Sequence, residues 1–156
     1  MATYAADYVA ERSMALGAKT TLLERTLDFA QIAAYRAGAG LTALAQNDIY
    51  ELFNVPAKTL VLRVGYDVTT AEGASCTFSL GDGADDNGYL DAISLNSVAS
   101  GVMTLALTDA SPGVTVTAYS GGKYYSAADT IDMKLNTSTT YDAAVVRVWI
   151  VVQDCA

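Results

Sequence analysis

The residues of this chain best suited to chemistry lie in the stretch GDGADDNGYLD, residues 81–91, where Asp82, Asp85, Asp86 and Asp91 crowd around Asn87 and three glycines. Carboxylate and amide oxygens so closely spaced suit a hard cation, calcium before any transition metal. The order of ligands does not follow the EF-hand loop, which alternates its donors, turns on a central glycine and closes on a glutamate. Paired carboxylates could also hydrolyse a glycoside, but only Tyr89 stands nearby to hold a sugar ring. The plainer reading is a tight turn, in which Asp and Asn side chains cap their own backbone while Gly81, Gly83 and Gly88 supply positive φ. If the loop holds an ion, Asp82, Asp85, Asp86 and Asp91 are its expected ligands, and no other cofactor is expected.

The rest of the inventory argues against catalysis. There is no histidine, which removes the commonest general base and the commonest transition-metal ligand. Cys76 and Cys155 are too few and too far apart for a zinc cluster or a disulfide scaffold, and they read as buried free thiols, with a single disulfide as the alternative. No nucleophile motif and no phosphate-binding glycine loop is present. No enzyme activity is expected.

The elements that position the acidic loop are strands. In TLVLRVGYDVTT the apolar residues Leu60, Leu62, Val64, Tyr66 and Val68 alternate with Arg63, Asp67 and Thr69, the pattern of a half-buried strand. The same period places Cys76, Phe78 and Leu80 inward just before the loop. It places Val114, Val116 and Ala118 inward in GVTVTA, and Ile131, Met133 and Leu135 inward against Thr130, Asp132, Lys134 and Asn136. It closes with Val146, Val148, Ile150 and Val152 opposite Arg147, Trp149 and Gln153. VMTLALT and DIYELFNV are two less regular candidates. With turns at VPAK, AEGA, SPG and SGGK, these segments predict a mainly β fold, an antiparallel β-sandwich or jelly roll of seven or eight strands.

Composition divides the chain into an N-terminal arm, 1–45, and a sandwich domain, 46–156. The arm carries four acidic and four basic residues, so the whole net charge of −8 falls on the body. Within the arm, LDFAQIAAYRAG reads as a short helix with Asp28 as N-cap, Gln31 completing a capping box, Leu27 and Ile32 as a hydrophobic staple, and Gly38 as its left-handed stop. AKTTLLERTL could be a strand, and residues 1–17 a weak helix, an irregular arm reaching a neighbour or a terminus packed on its own domain. A helix of about ten residues is below the length that survives alone, so it must dock.

Charged residues make up only 17% of the chain and hydrophobic ones 52%, so other subunits are expected to cover part of the surface. No apolar run is long enough for a membrane span, no signal-peptide layout opens the chain, and no basic cluster offers itself to phosphates. Membrane and nucleic acid are therefore not expected partners, and a soluble, unsecreted product is. Ten tyrosines and one tryptophan suit an interface or a glycan-binding patch, with Tyr124, Tyr125 and Trp149 foremost.

The segments VPAKTLVLRVGYDVTTAEGASCTFSLGDGADDNGYLD, GGKYYSAADTIDMKLN and VVRVWIVVQD together resemble a group of tailed-bacteriophage virion proteins. Their pattern runs V-P-A-G-T, a strand, T-T-A-E-G, T-F-x-(I/L)-G-D-G, an acidic loop with Y-L-D, then K-Y-Y-x-A-A-D-T-I. The resemblance covers about residues 47–153, with Lys58 standing where the pattern often has Gly. It implies a virion part with a jelly-roll body, foremost a head decoration or cement protein on the capsid exterior, made in the bacterial host cytoplasm, with the major capsid protein and further copies of itself, as a homotrimer, for partners. The contacts are expected at Leu22, Leu23, Leu27, Phe29, Ile32, Tyr35, Tyr124, Tyr125 and Trp149. A tail or tail-fibre component is one alternative. A carbohydrate-binding sandwich using the aromatic residues with calcium is another.

Overall fold

The computed structural model describes residues 20–103, 119, 121–137 and 140–155, with the backbone of residues 3–5 and 11–15. In chain order the elements are β1 (Thr3–Ala5), β2 (Glu11–Ala15), β3 (Thr20–Asp28), α1 (Phe29–Gly38), β4 (Ile49–Val55), β5 (Thr59–Thr70), β6 (Thr77–Gly81), β7 (Leu90–Ser94), β8 (Ala99–Val102), β9 (Lys123–Tyr125), β10 (Asp129–Leu135) and β11 (Val145–Asp154). They form two sheets, one of five strands in the order β1-β4-β10-β6-β7 and one of six in the order β2-β3-β11-β5-β8, with β9 also on β5. Every pairing is antiparallel except β1 with β4.

The expected mainly β sandwich is therefore present. Its strands number eleven among the described residues, more than the seven or eight expected. GVTVTA and most of VMTLALT lie outside the described residues.

The core fills the space between the sheets. Phe78, Leu80, Ile131, Met133 and Leu135 from the first sheet, and Val61, Val64, Val146, Val148 and Ile150 from the second, have no exposed surface. Each such side chain contributes about 1.5–3 kcal/mol on leaving water. The alternation read in β6, β10 and the first part of β11 holds.

In β5 the alternation fails, and the register shows why. Val151 pairs with Arg63 but Val152 with Val61, so Leu62 is an extra residue, a β-bulge that reverses the inward face. Val61 is fully buried, and Leu60 and Leu62, expected inside, are half-buried. Past the bulge the expected parity returns, with Val64 and Val68 buried and Tyr66 packed edge-on against Phe78 at 5.9 Å. A second bulge in β4 skips Leu52 between the pairs Ile131–Phe53 and Asp132–Glu51, which lets the consecutive Leu52 and Phe53 both face the core.

The helix begins as expected. Asp28 accepts from the Gln31 backbone N–H at 3.0 Å and from its side-chain amide at 2.7 Å. It ends differently, because Gly38 is its last residue and the left-handed residue is Gly40, φ 68°. Leu41 N–H donates to Arg36 O and Gly40 N–H to Ala37 O, a Schellman closure two residues later than read.

The region expected as an arm is partly built into the sandwich. All nine residues of β3 are in register with β11, in the interior of the six-stranded sheet. Leu27, Phe29 and Ile32 belong to the common core. Residues 3–5 and 11–15, read as weak helix or irregular arm, are strands.

Two residues of the family-like pattern gain a physical reason. Glu72 accepts from the backbone N–H groups of Asp142, Ala143 and Ala144 at 2.7, 3.0 and 2.7 Å, fastening the turn after β5 to the segment before β11. Lys58 has φ 63°, a left-handed turn in which glycine is unstrained, so the glycine common in the pattern suits this position better than lysine does.

Trp149 lies on the outer face of β11, opposite Gly65 in β5. A Cβ at Gly65 would stand 2.2 Å from the indole ring. Gly65→Ala is expected to displace the ring, shifting the emission of the single tryptophan, while costing only about 1 kcal/mol because a side chain can yield. Unchanged fluorescence would contradict this packing.

Candidate functional site

The acidic loop leaves β6 at Gly81 and returns at β7. Asp82 Oδ1 accepts from the backbone N–H groups of Ala84 at 3.0 Å and Asp85 at 3.1 Å, and Asp85 Oδ1 accepts from Asn87 N–H at 3.4 Å. The loop is thus built on Asp side chains capping their own backbone, as expected. The glycines serve differently from the expectation, since Gly81, Gly83 and Gly88 do not have positive φ. Gly81 is needed for space, because a Cβ there would stand 2.0 Å from Asp85 O, and one at Gly88 would meet the Tyr119 ring at 2.2 Å.

Asp82 is the centre of a buried network that ties the two sheets together. Its Oδ2 is ion-paired with Lys123 Nζ and accepts from Tyr125 Oη at 2.5 Å; its Oδ1 accepts from Tyr119 Oη at 3.2 Å. Lys123 also donates to Tyr119 Oη at 2.8 Å and lies 4.2 and 4.8 Å from the centres of the Tyr119 and Tyr125 rings. Tyr89 Oη is 2.8 Å from Tyr125 Oη, and its ring meets Tyr119 edge-on at 5.0 Å. Lys123 and Tyr125 belong to β9 in one sheet, whereas Asp82 extends from β6 in the other.

The electrostatics hold these groups in fixed charge states. Burial alone would raise the Asp82 carboxyl, but the hydrogen bonds from Lys123, Tyr125, Ala84 and Asp85 outweigh it and hold the group below the usual carboxylate range. Desolvation raises the Tyr89 and Tyr125 phenols, and for Tyr125 the hydrogen bond to Asp82 raises it further, so both stay protonated. Desolvation would lower Lys123, but Asp82 and Tyr119 raise it above the ordinary lysine value. Around neutral pH these shifts favour the ionised Asp82–Lys123 pair and the protonated phenols, an arrangement suited to a structural tie between the sheets.

The four aspartates expected to share an ion do not converge. Asp86 pairs with Lys134 at 2.5 Å, and Asp91 Oδ1 accepts from Ser79 Oγ at 2.8 Å on the far side of β6. Among the described residues no three acidic or cysteine side chains come together as metal ligands would. Cys76 is buried as expected, Cys155 is exposed, and the two are not joined by a disulfide.

Asp132 was read as facing solvent and does not. The loop covers it: residues 82–86, Ile49 and Asp132 line one cavity of about 330 Å³. Asp132 is only 7% exposed, and its Oδ1 has no hydrogen-bond partner. Burial pushes its carboxyl up to about 6, against a lowering hydrogen bond from Thr130 and with repulsion from Glu51, Asp129 and Asp82. A raised acid binds its proton more tightly in the native state, so its contribution to stability is full below the ordinary value of 3.8 and is lost as pH rises to about 6. In chelator-containing buffer, Asp132→Asn is therefore expected to be more stable than the natural chain by about 2 kcal/mol at neutral pH and no more stable in acid, as denaturant melts would read. The sequence signal for Asp132 is slight, an acidic residue at an outward position of a regular strand.

The expected contact residues divide. Leu27, Phe29, Ile32 and Tyr125 are buried within the chain itself, and Leu22, Leu23 and Trp149 are half-buried on the six-stranded sheet. Tyr35 and Tyr124 are about half exposed, at 51% and 53%, and the sequence reading did not include Leu41, exposed by 50% just after the helix.

No protein-family model matches the sequence, and no curated protein sequence matches it significantly. Solved structures do match. The fold is shared with chains of three phage capsids. A chain in the capsid of Ralstonia phage GP4 superposes with TM-score 0.62 and 13% identity over 99% of both chains. One in the cyanophage Pam1 capsid asymmetric unit gives 0.56 and 14%, covering 95% of this chain and 94% of that one. One in the acid-stable capsid of Helicobacter pylori bacteriophage KHP30 gives 0.53 and 13%, covering 94% and 95%. At such identity the likeness is one of fold, over essentially the full length of each partner.

Proposed function

We propose that this chain is a structural component of a tailed-phage head, a decoration or cement protein that binds the outside of the capsid shell and stabilises it by bridging capsomers, without catalysis. The observation that carries the reading is the full-length likeness to three chains of similar size, each from a phage capsid. A protein that binds the assembled shell and not its free subunits stabilises the shell by mass action, and many weak copies on one lattice reinforce each other. The body is suited to this because its core and its cross-sheet network are complete within one chain, leaving outward residues for contact.

In this reading the shell or a neighbouring copy meets the exposed end of α1, at Tyr35 and Leu41, and Tyr124 on β9; the buried side of the helix belongs to the fold. The partners are the major capsid protein and two further copies in a trimer, since a closed cyclic arrangement would cover apolar surface in a chain with so few charges. The test is to add the purified chain to expanded heads assembled without it, then measure co-sedimentation and the temperature at which heads release DNA. Saturable binding with a raised release temperature, weakened by Tyr35→Ala combined with Tyr124→Ala, is expected. Absence of the chain from purified heads, or heads equally heat-resistant with and without it, would overturn the reading.

A further inference from the structure

The outer face of the six-stranded sheet is apolar at its centre, where the solvent face of an antiparallel sheet is ordinarily polar. Strand pairing sets Trp149, Gly65 and Val102 side by side in one row, and Leu22, Val151 and Arg63 in the next. Val148 and Ile150 point into the core, so these alternate residues point away from it. Trp149, Val151 and Leu22 are half-buried and Val102 is 36% exposed. Two opposite charges frame this strip. Arg63 is exposed and, among the described residues, forms no ion pair. Asp67, on the same face of β5, accepts both of its bonds from Arg147 at Oδ2 and none at Oδ1. The two stand about 13 Å apart along the strand, with Gly65 and the Trp149 ring midway between them.

We infer that this face binds the same face of a second copy, about a two-fold axis that lies in the interface and crosses the strands at the Gly65–Trp149 row. Opposite charges at equal distances on either side of such an axis change places, so each Arg63 lies over the partner's Asp67 and the pair forms twice. This spacing is what singles out a second copy, since a different protein would need no symmetry in the charges it meets. Trp149 and Val102 lie on the axis row and meet their own counterparts, which closes the apolar strip. Glu24, on the same row, is already bridged by Arg147 at 3.5 Å, so its charge is not left bare against its counterpart. Two chains of net charge −8 repel each other over most of their surface, and a face on which Arg63 and Arg147 offset Asp67 and Glu24 is where they can approach. Trp149 also falls near the middle of β11, so the two sheets overlap along most of its length. Five strands about 4.8 Å apart and ten residues long give a face of about 800 Å², the share each partner buries in a standard interface. The apolar centre supplies the affinity and the charges set the register. This contact goes beyond the shell-binding reading; on a lattice it would join copies of neighbouring trimers.

The test is sedimentation equilibrium of the full chain from micromolar to millimolar concentration, with acrylamide quenching of the single tryptophan alongside. Association in pairs, with Trp149 increasingly shielded as concentration rises, is expected. Arg63→Glu and Asp67→Lys, each verified as folded by its melting curve, should each weaken association about tenfold or more, because the symmetry counts every substitution twice. An equimolar mixture of the two variants should recover it, since each then meets the opposite charge at both positions. A chain that stays monomeric throughout, variants that associate as tightly as the natural chain, or a mixture no better than its parts would each overturn the inference. So would shielding of Trp149 only when the chain is bound to heads, which would give this face to the shell protein instead. Head binding is measured separately, so the loss of either reading leaves the other standing.

Discussion

A chain lacking residues 1–40 is expected not to fold, although its composition divides it into an arm, 1–45, and a separate sandwich domain, 46–156. The deletion removes β3, which is in register with β11 along all nine of its residues, and turns an interior strand into an unprotected edge. It also removes Leu27, Phe29 and Ile32 from the core. At about 1.5–3 kcal/mol each, these three side chains alone approach the whole stability of a typical domain, about 5–15 kcal/mol. The truncated chain should be recovered as aggregate or give no cooperative melt; a β-rich spectrum with a sharp unfolding transition would disprove the dependence. Phe29→Ala isolates one part of the effect, since the ring is fully buried and lies 5.7 Å from that of Tyr141, and should cost about 3–5 kcal/mol.

Lys123→Met is expected to be the most damaging single change at the acidic loop. It leaves the Asp82 carboxylate, whose side chain has no exposed surface, without its counter-charge. Breaking a buried pair in this way costs about 3–5 kcal/mol. The pH dependence identifies the cause. Asp82 is held below the usual carboxylate range in the natural chain, so its contribution is present above that range and fades as pH falls through the depressed value. In the variant the stranded carboxyl protonates more readily, so the stability gap should be widest at neutral pH and narrow in acid. A gap of constant size across that range would assign the loss to packing instead of charge.

The sandwich was legible in the sequence where strands keep strict parity. Phe78 and Leu80, then Ile131, Met133 and Leu135, then Val146, Val148 and Ile150 alternate without interruption, and all are buried. It was illegible where one residue slips. Leu62 breaks the period of β5 and Leu52 that of β4, and a bulge leaves no mark in hydropathy. Strands β7, β8 and β9 were missed because LDAIS, ASGV and KYY are too short or too poor in β-branched residues to signal, and long neighbours hold them by pairing.

The candidate site was half legible. The Asp-capped turn follows from local chemistry within a few residues, which a sequence displays directly. The partners of that turn do not, because Lys123 is 41 positions from Asp82 and joins it only when β9 and β6 are brought into opposing sheets. The burial of Asp132 was missed for a related reason. Alternation assigns a residue to a face, and only the tertiary arrangement shows that the acidic loop roofs that face.

The position of β11 bears on how the molecule is made. This strand lies between β3 and β5, joining them across the six-stranded sheet, yet both are translated long before it. During vectorial synthesis the two early segments must wait, side by side and unbridged, with their main-chain donors and acceptors and the apolar faces of Leu23, Val61 and Val64 open to other nascent chains. High expression is when such waiting segments would most need holdase chaperones.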